Sequence, residues 1–148
     1  MAETRVARII GALVAAIDVA GKPAGLVVTT SRVAPTASGV ELRQIAVYPV
    51  RDEAAPSSET RTRTFPGARR LLTVALECRC AGRDLSNEPI RAWAVQQAMA
   101  DPALGGAALS IEEGATEWAG DQDSATDYSQ AIVDLVVEYA RPRGILEE

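Results

Sequence analysis

Apolar residues recur with two distinct periods along this chain, and each stretch of one period marks an element. Val6, Ile9, Ile10, Leu13, Val14 and Ile17 fall at i, i+3, i+4, i+7, i+8 and i+11, which is one stripe of an amphipathic helix. The helix is predicted from about Thr4, a plausible N-cap, to Val19, with Gly21 and Pro23 ending it. The β-rich run Gly25–Thr30 follows, then Val40–Val50, where Ile45 and Val47 alternate with Gln44, Ala46 and Tyr48. Arg70–Arg79 is a stronger strand: Leu72, Val74, Leu76, Cys78 and Cys80 share one face and are predicted to meet the core. Ser86-Asn87-Glu88-Pro89 starts a second helix. That helix runs to about Ala100 with Ile90, Trp93, Ala94, Gln97 and Ala98 on one face, and Asp101-Pro102 closes it. Leu109 and Ile111 open another strand, Gly114 marks a bulge or turn, and Thr116 and Trp118 lead to a loop at Gly120–Thr126. The last strand, about Ser129–Arg141, alternates most clearly, with Val133, Leu135, Val137 and Tyr139 on one face.

Between these elements the segment 51–69, RDEAAPSSETRTRTFPGAR, changes character to proline, hydroxyl and mixed charge. A connection of that length is either a surface loop or hairpin, or an arm that orders against a neighbouring subunit. Helix, strands, long loop, strand, helix, strands is an α+β order. It predicts one domain over residues 1–148, with two helices packed on one face of a mostly antiparallel sheet.

Composition narrows the chemistry. The charged fraction of 24% is ordinary for a globular protein, and the net charge of −5 argues against nucleic acid as the main partner. No stretch reaches the length of about 18 apolar residues that a membrane span requires. The chain has no histidine, which removes Ser-His-Asp and Cys-His nucleophile arrangements and the commonest metal ligand. Cys78 and Cys80 point to the same strand face, are poorly placed to bridge each other, and read as small core residues of a protein made in a reducing compartment. Lys22 is the one lysine among fifteen basic residues, a bias that reads as coding preference before it reads as interface chemistry.

Glu112, Glu113, Glu117, Asp121, Asp123 and Asp127 gather acid in one region. Asp121-Gln122-Asp123 begins like a calcium loop but lacks the later glycine and glutamate, so a solvated acidic surface is the simpler reading. No phosphate-binding glycine loop occurs. The expectation is a chain with no catalytic residue, no metal and no cofactor, which is not an enzyme.

The order of segments resembles the tail terminator (tail completion, minor tail) proteins of long-tailed bacteriophages. The parts that carry the likeness are the opening TRVARIIGALVAAI, the strand LLTVALECRCAG, the helix that ends in DPALGGAALSIEEGATEW, an acidic loop, and the closing strand AIVDLVVEYARP. The likeness spans about residues 4 to 142 and leaves 51–69 unassigned. It implies a non-catalytic virion protein of the tail neck, made in the host cytoplasm, that forms a ring of six copies on the head-proximal end of the tail tube. Its partners would be its own copies, the tail tube protein and the head-tail connector. DNA would pass through the ring without specific recognition, and no membrane would be involved. A neck, head-closure or tail-completion role in the same machinery is the nearest alternative, and a small oligomeric ligand-binding module is a more distant one. A ring needs a heterologous interface. The candidate contact residues are Arg61, Arg63, Arg69 and Arg70 on one side and Asp121, Asp123 and Asp127 on the other.

Overall fold

A computed structural model describes residues 4–23, 25–30, 43–55, 67–81, 88–121 and 128–142. Helix α1 spans Arg5–Ile17 and helix α2 spans Glu88–Met99. The strands are β1 (Val27–Thr29), β2 (Arg43–Ala54), β3 (Gly67–Ala81), β4 (Ser110–Asp121) and β5 (Tyr128–Pro142). They form one sheet in the order β1-β2-β3-β5-β4. The β1–β2 pair is parallel and the other three pairs are antiparallel. The predicted α+β class is therefore the observed one.

Each helix forms where its local chemistry supports it. Thr4 caps α1 by accepting the Ala7 amide hydrogen on its side-chain oxygen at 3.0 Å. The stripe then buries Ile9, Ile10, Leu13 and Ile17, each contributing roughly 1.5–3 kcal/mol of transfer free energy. Helix α2 buries only Ile90, Ala94 and Ala98; the small alanines let it lie close to the sheet. Two polar ties hold it in place. Gln97 donates to the Ala16 carbonyl at 3.4 Å. Arg91 grips Glu88 with two hydrogen bonds, of 2.9 and 2.8 Å, and reaches Glu113 on β4 at 3.3 Å.

Under the helices lies one apolar sheet face: Ile45 and Val47 from β2, Leu72 through Cys80 at alternate positions of β3, and Val133, Leu135, Val137 and Tyr139 from β5. These are the residues the strand alternation assigns to the core.

The turn from α2 into β4 explains the sequence DPALGG. Asp101 accepts from the backbone amides of Ala103 at 3.2 Å and Gly105 at 2.8 Å. A short 3-10 turn at Leu104–Gly106 then carries positive φ at three successive residues: 48° at Leu104, 66° at Gly105 and 99° at Gly106. The glycines adopt that region without steric cost, whereas Leu104 accepts it and buries its side chain in the core. Gly105→Ala should therefore cost about 1–2 kcal/mol, the left-handed penalty, although a methyl there would meet nothing within 4 Å. Chemical denaturation of the variant checks this.

Two bulges line up across the sheet. Pro49, Val74, Leu135 and Glu113 form one continuous row of cross-strand partners. The register of β2 shifts just after Pro49, and that of β4 shifts just after Glu113. Gly114 belongs to the second bulge, as its position in the sequence suggests. A side chain there would press a Cβ to 3.1 Å from the Asp134 carbonyl oxygen. The interior strands β3 and β5 run regularly past both bulges over fifteen paired rows.

The segment 51–69 is not one long loop. Arg51–Ala54 continues β2, and Gly67–Arg69 begins β3. The reason is register: once past the bulge, Arg51, Asp52, Glu53 and Ala54 pair with Thr73, Leu72, Leu71 and Arg70, so a polar sequence is carried by a strong partner strand. Ala55 adds a hydrogen bond to the Arg69 carbonyl at 3.0 Å. Residues 56–66 lie outside the described residues, as do Ser86 and Asn87 of the predicted helix start.

Candidate assembly surfaces

The described candidate contact residues, Arg69, Arg70 and Asp121, are dispersed rather than gathered. Arg69 and Arg70 stand on β3 near its start, on opposite faces of the sheet. Asp121 ends β4, paired with Tyr128, which is itself paired with Ala81 at the far end of β3. Twelve strand residues separate the two ends, roughly 40 Å at 3.3 Å per residue. Arg61, Arg63, Asp123 and Asp127 lie outside the described residues.

Arg69 and Arg70 also have partners within the chain. Arg69 forms an ion pair with Glu138 of β5. Arg70 donates from Nε to Asp52 Oδ1 at 3.0 Å and from its terminal nitrogen to the Asp52 carbonyl at 3.2 Å. Tyr139 donates its hydroxyl to the other Asp52 oxygen at 2.7 Å. The Asp52 hydrogen bond raises the already high pKa of Arg70, with partial burial opposing it. These two arginines therefore close the end of the hairpin on itself and are weak candidates for bridging to a neighbour.

On the sheet face away from the helices lies a second polar cluster. Glu77 is only 2% exposed, although it sits on the face that alternation assigns to solvent. Tyr48 donates to Glu77 Oε1 at 2.8 Å, and Arg79 Nε stands 2.9 Å from Oε2. Tyr48 pairs across from Ala75, and Ala46 pairs across from Glu77, so the tyrosine leans along its strand to reach the carboxylate. Small residues at Ala46, Thr73 and Ala75 make room for this and are themselves buried.

Nothing in these clusters forms a catalytic constellation. Burial pushes the Cys78 thiol up to about 12, so it is neutral and unreactive at pH 7. Both cysteines are buried and free. Among the described residues no group of three or more acidic, cysteine or histidine side chains could hold a metal, and no helix is long and apolar enough to cross a membrane. Glu88 is held below the usual carboxylate range by its hydrogen bonds from Arg91. Its tie to Arg91 therefore contributes above the unfolded carboxylate pKa and is lost as pH falls through the lowered one.

The surface features that remain are at the sheet margins. The large apolar residues exposed among the described positions are Val27, Val50, Leu109 and Trp118. Val27 and Val50 belong to β1 and β2 at one margin. Trp118 belongs to β4 at the other, and Leu109 immediately precedes it. Trp118 is not loose: the Arg91 guanidinium lies 5.3 Å from its ring centroid. Trp93, by contrast, packs partly buried against the core.

Acid gathers on one side of the sheet. The described side chains of β4 and β5 include Glu112, Glu113, Glu117, Asp134 and Glu138, whereas β2 carries both signs, Arg43 and Arg51 with Asp52 and Glu53. Four acids of the predicted cluster, Glu112, Glu113, Glu117 and Asp121, lie on β4, which runs on through Gly120 and Asp121 where the loop was expected to open. The sequence signal that could have located this gathering is the run of acids on alternating strands after Leu109. No protein-family model matches the chain, and no curated protein is similar enough to count as a relative.

Proposed function

We propose that this chain is a structural subunit of a long-tailed phage, a tail terminator. It would form a closed ring at the head-proximal end of the tail tube, end tube growth there and present a surface to the head connector. The reading rests on the order of segments from α2 through the Asp101-capped Leu104-Gly105-Gly106 turn into β4, and on to the long final strand β5. That order is the one by which the sequence resembles the tail terminator proteins. A sheet with helices on one face and an edge strand at each margin, β1 and β4, suits a part that works by shape and assembly. Acid on β4 and β5 would also suit a surface past which DNA slides without being held.

The test is to polymerise tail tube protein with and without this chain and to measure tube length and end structure by negative-stain microscopy. The expected result is rings of tube width on one end and tubes that no longer elongate. Unchanged elongation with bare ends would overturn the reading.

A further inference from the structure

We infer that copies of this chain associate side by side through opposite sheet margins. The β4 segment Glu117–Ala119 of one copy would lie against the β1 strand Val27–Thr29 of the next. This deepens the ring reading by naming its subunit contact.

The first observation is register. Val27, Gln44, Arg79, Gln130 and Ala119 are successive partners in one row across the whole sheet. The next two rows run from Val28 to Trp118 and from Thr29 to Glu117. The full length of β1 is therefore level with Glu117–Ala119 at the other margin. A second copy placed alongside with no slip along the strands brings the two segments together.

Strand direction is the second. β1 and β2 run together, β3 opposes them, β5 opposes β3, and β4 opposes β5. In a head-to-tail neighbour of the same orientation, β4 therefore meets β1 antiparallel, so the ladder can continue with ordinary hydrogen bonds. Beyond the bulge after Glu113, β4 is again regular from Thr116 onward, which is the part level with β1.

Side-chain chemistry is the third. Val27, 58% exposed, and Trp118, 46% exposed, stand at the two margins on opposite sheet faces, and in the array Val27 falls level with Ala119 and Trp118 level with Val28 of the neighbour. Tryptophan and arginine are enriched among the residues that carry binding energy at interfaces, and Trp118 is backed by Arg91. Among the described residues Glu112 and Glu117 have no ion-pair partner. Such a contact uses two different patches on each copy, as ring closure requires.

The experiment uses two variants of the full chain. Glu117→Arg with Trp118→Ser disables the β4 margin; Val27→Asp disables the β1 margin and sets an acid against the acids of β4. Circular dichroism and melting confirm that each is folded. If Trp118→Ser unfolds the chain, Glu117→Arg alone replaces the first variant, since that side chain is exposed. By sedimentation velocity the wild type is expected to assemble and each variant alone to stay monomeric. An equimolar mixture of the two should stop at a dimer, because one intact margin of each kind remains. A variant that still assembles alone overturns the margin assignment and leaves the ring reading standing. A wild-type chain that stays monomeric at millimolar concentration also overturns the assignment, while the tube-length assay decides the ring reading separately.

Discussion

Glu77→Ala is expected to lower the unfolding free energy by about 3–5 kcal/mol, the cost of removing one partner from a buried charged cluster. The carboxylate is almost fully buried and is held by Tyr48 at 2.8 Å and Arg79 at 2.9 Å. Alanine deletes the acceptor for the tyrosine and the countercharge for an arginine whose side chain is only 15% exposed. Glu77→Gln separates these contributions: it keeps an oxygen for Tyr48 and loses only the charge, so its loss should be clearly smaller. Replacing Glu77 and Arg79 together by leucine and methionine should recover most of the deficit, since apolar residues of similar size can substitute for a buried pair. Urea denaturation of the three variants and the parent measures this. A Glu77→Ala chain within 1 kcal/mol of the parent would show that the cluster contributes specificity or nothing, rather than stability.

Leu135→Ala should cost about 2–5 kcal/mol. Leu135 is fully buried on β5 and lies opposite Val74 of β3 in the row that ends at the two bulges. Its neighbours Val133 and Val137 are fixed in an interior strand with partners on both sides, so the cavity can collapse little. Against a typical stability of about 5–15 kcal/mol the variant keeps at most part of its reserve. Thermal unfolding should show a fall in Tm of several degrees. The same truncation at Val50, which is 55% exposed, should change stability by less than about 0.5 kcal/mol.

The contrast between these sites follows what the sequence could and could not disclose. Strands β3 and β5 were legible because each alternates a wholly apolar face with a mixed one. Helix α1 was legible because its stripe has no interruption. The turn at Leu104–Gly106 was visible as a motif, but its left-handed backbone and the capping by Asp101 emerge only from coordinates. The tail of β2 was not legible: Arg51-Asp52-Glu53-Ala54 has no periodicity of its own and is a strand because β3 is long enough to hold it. The burial of Glu77 is not legible, since alternation places it opposite the apolar face of β3 and reports only which side of the sheet a residue occupies. It cannot report that Tyr48 leans over that side. Arg69 and Arg70 looked available for a neighbour because their partners Glu138 and Asp52 are distant in sequence. The gathering of acid on neighbouring strands depends on strand order, which places β5 between β3 and β4, and local pattern carries no information about that order.

The regular ladder between β3 and β5 also sets how the chain must reach this state. Its nearest partners are residues 81 and 128, and its most distant are 67 and 142. Closing such a loop costs chain entropy before any pair is gained, so pairing begins at the 81–128 end and zips toward 67–142. Until it does, β3 has only β2 beside it in the sheet, and α1 and α2, which precede β5 in the chain, are the elements available to cover its apolar face. The sheet is therefore expected to close only once β5 is available, and pulse-labelling hydrogen exchange during refolding would show late protection of β3 and β5. The preceding residues wait as an incomplete sheet, which makes that interval the period of greatest aggregation risk for this protein.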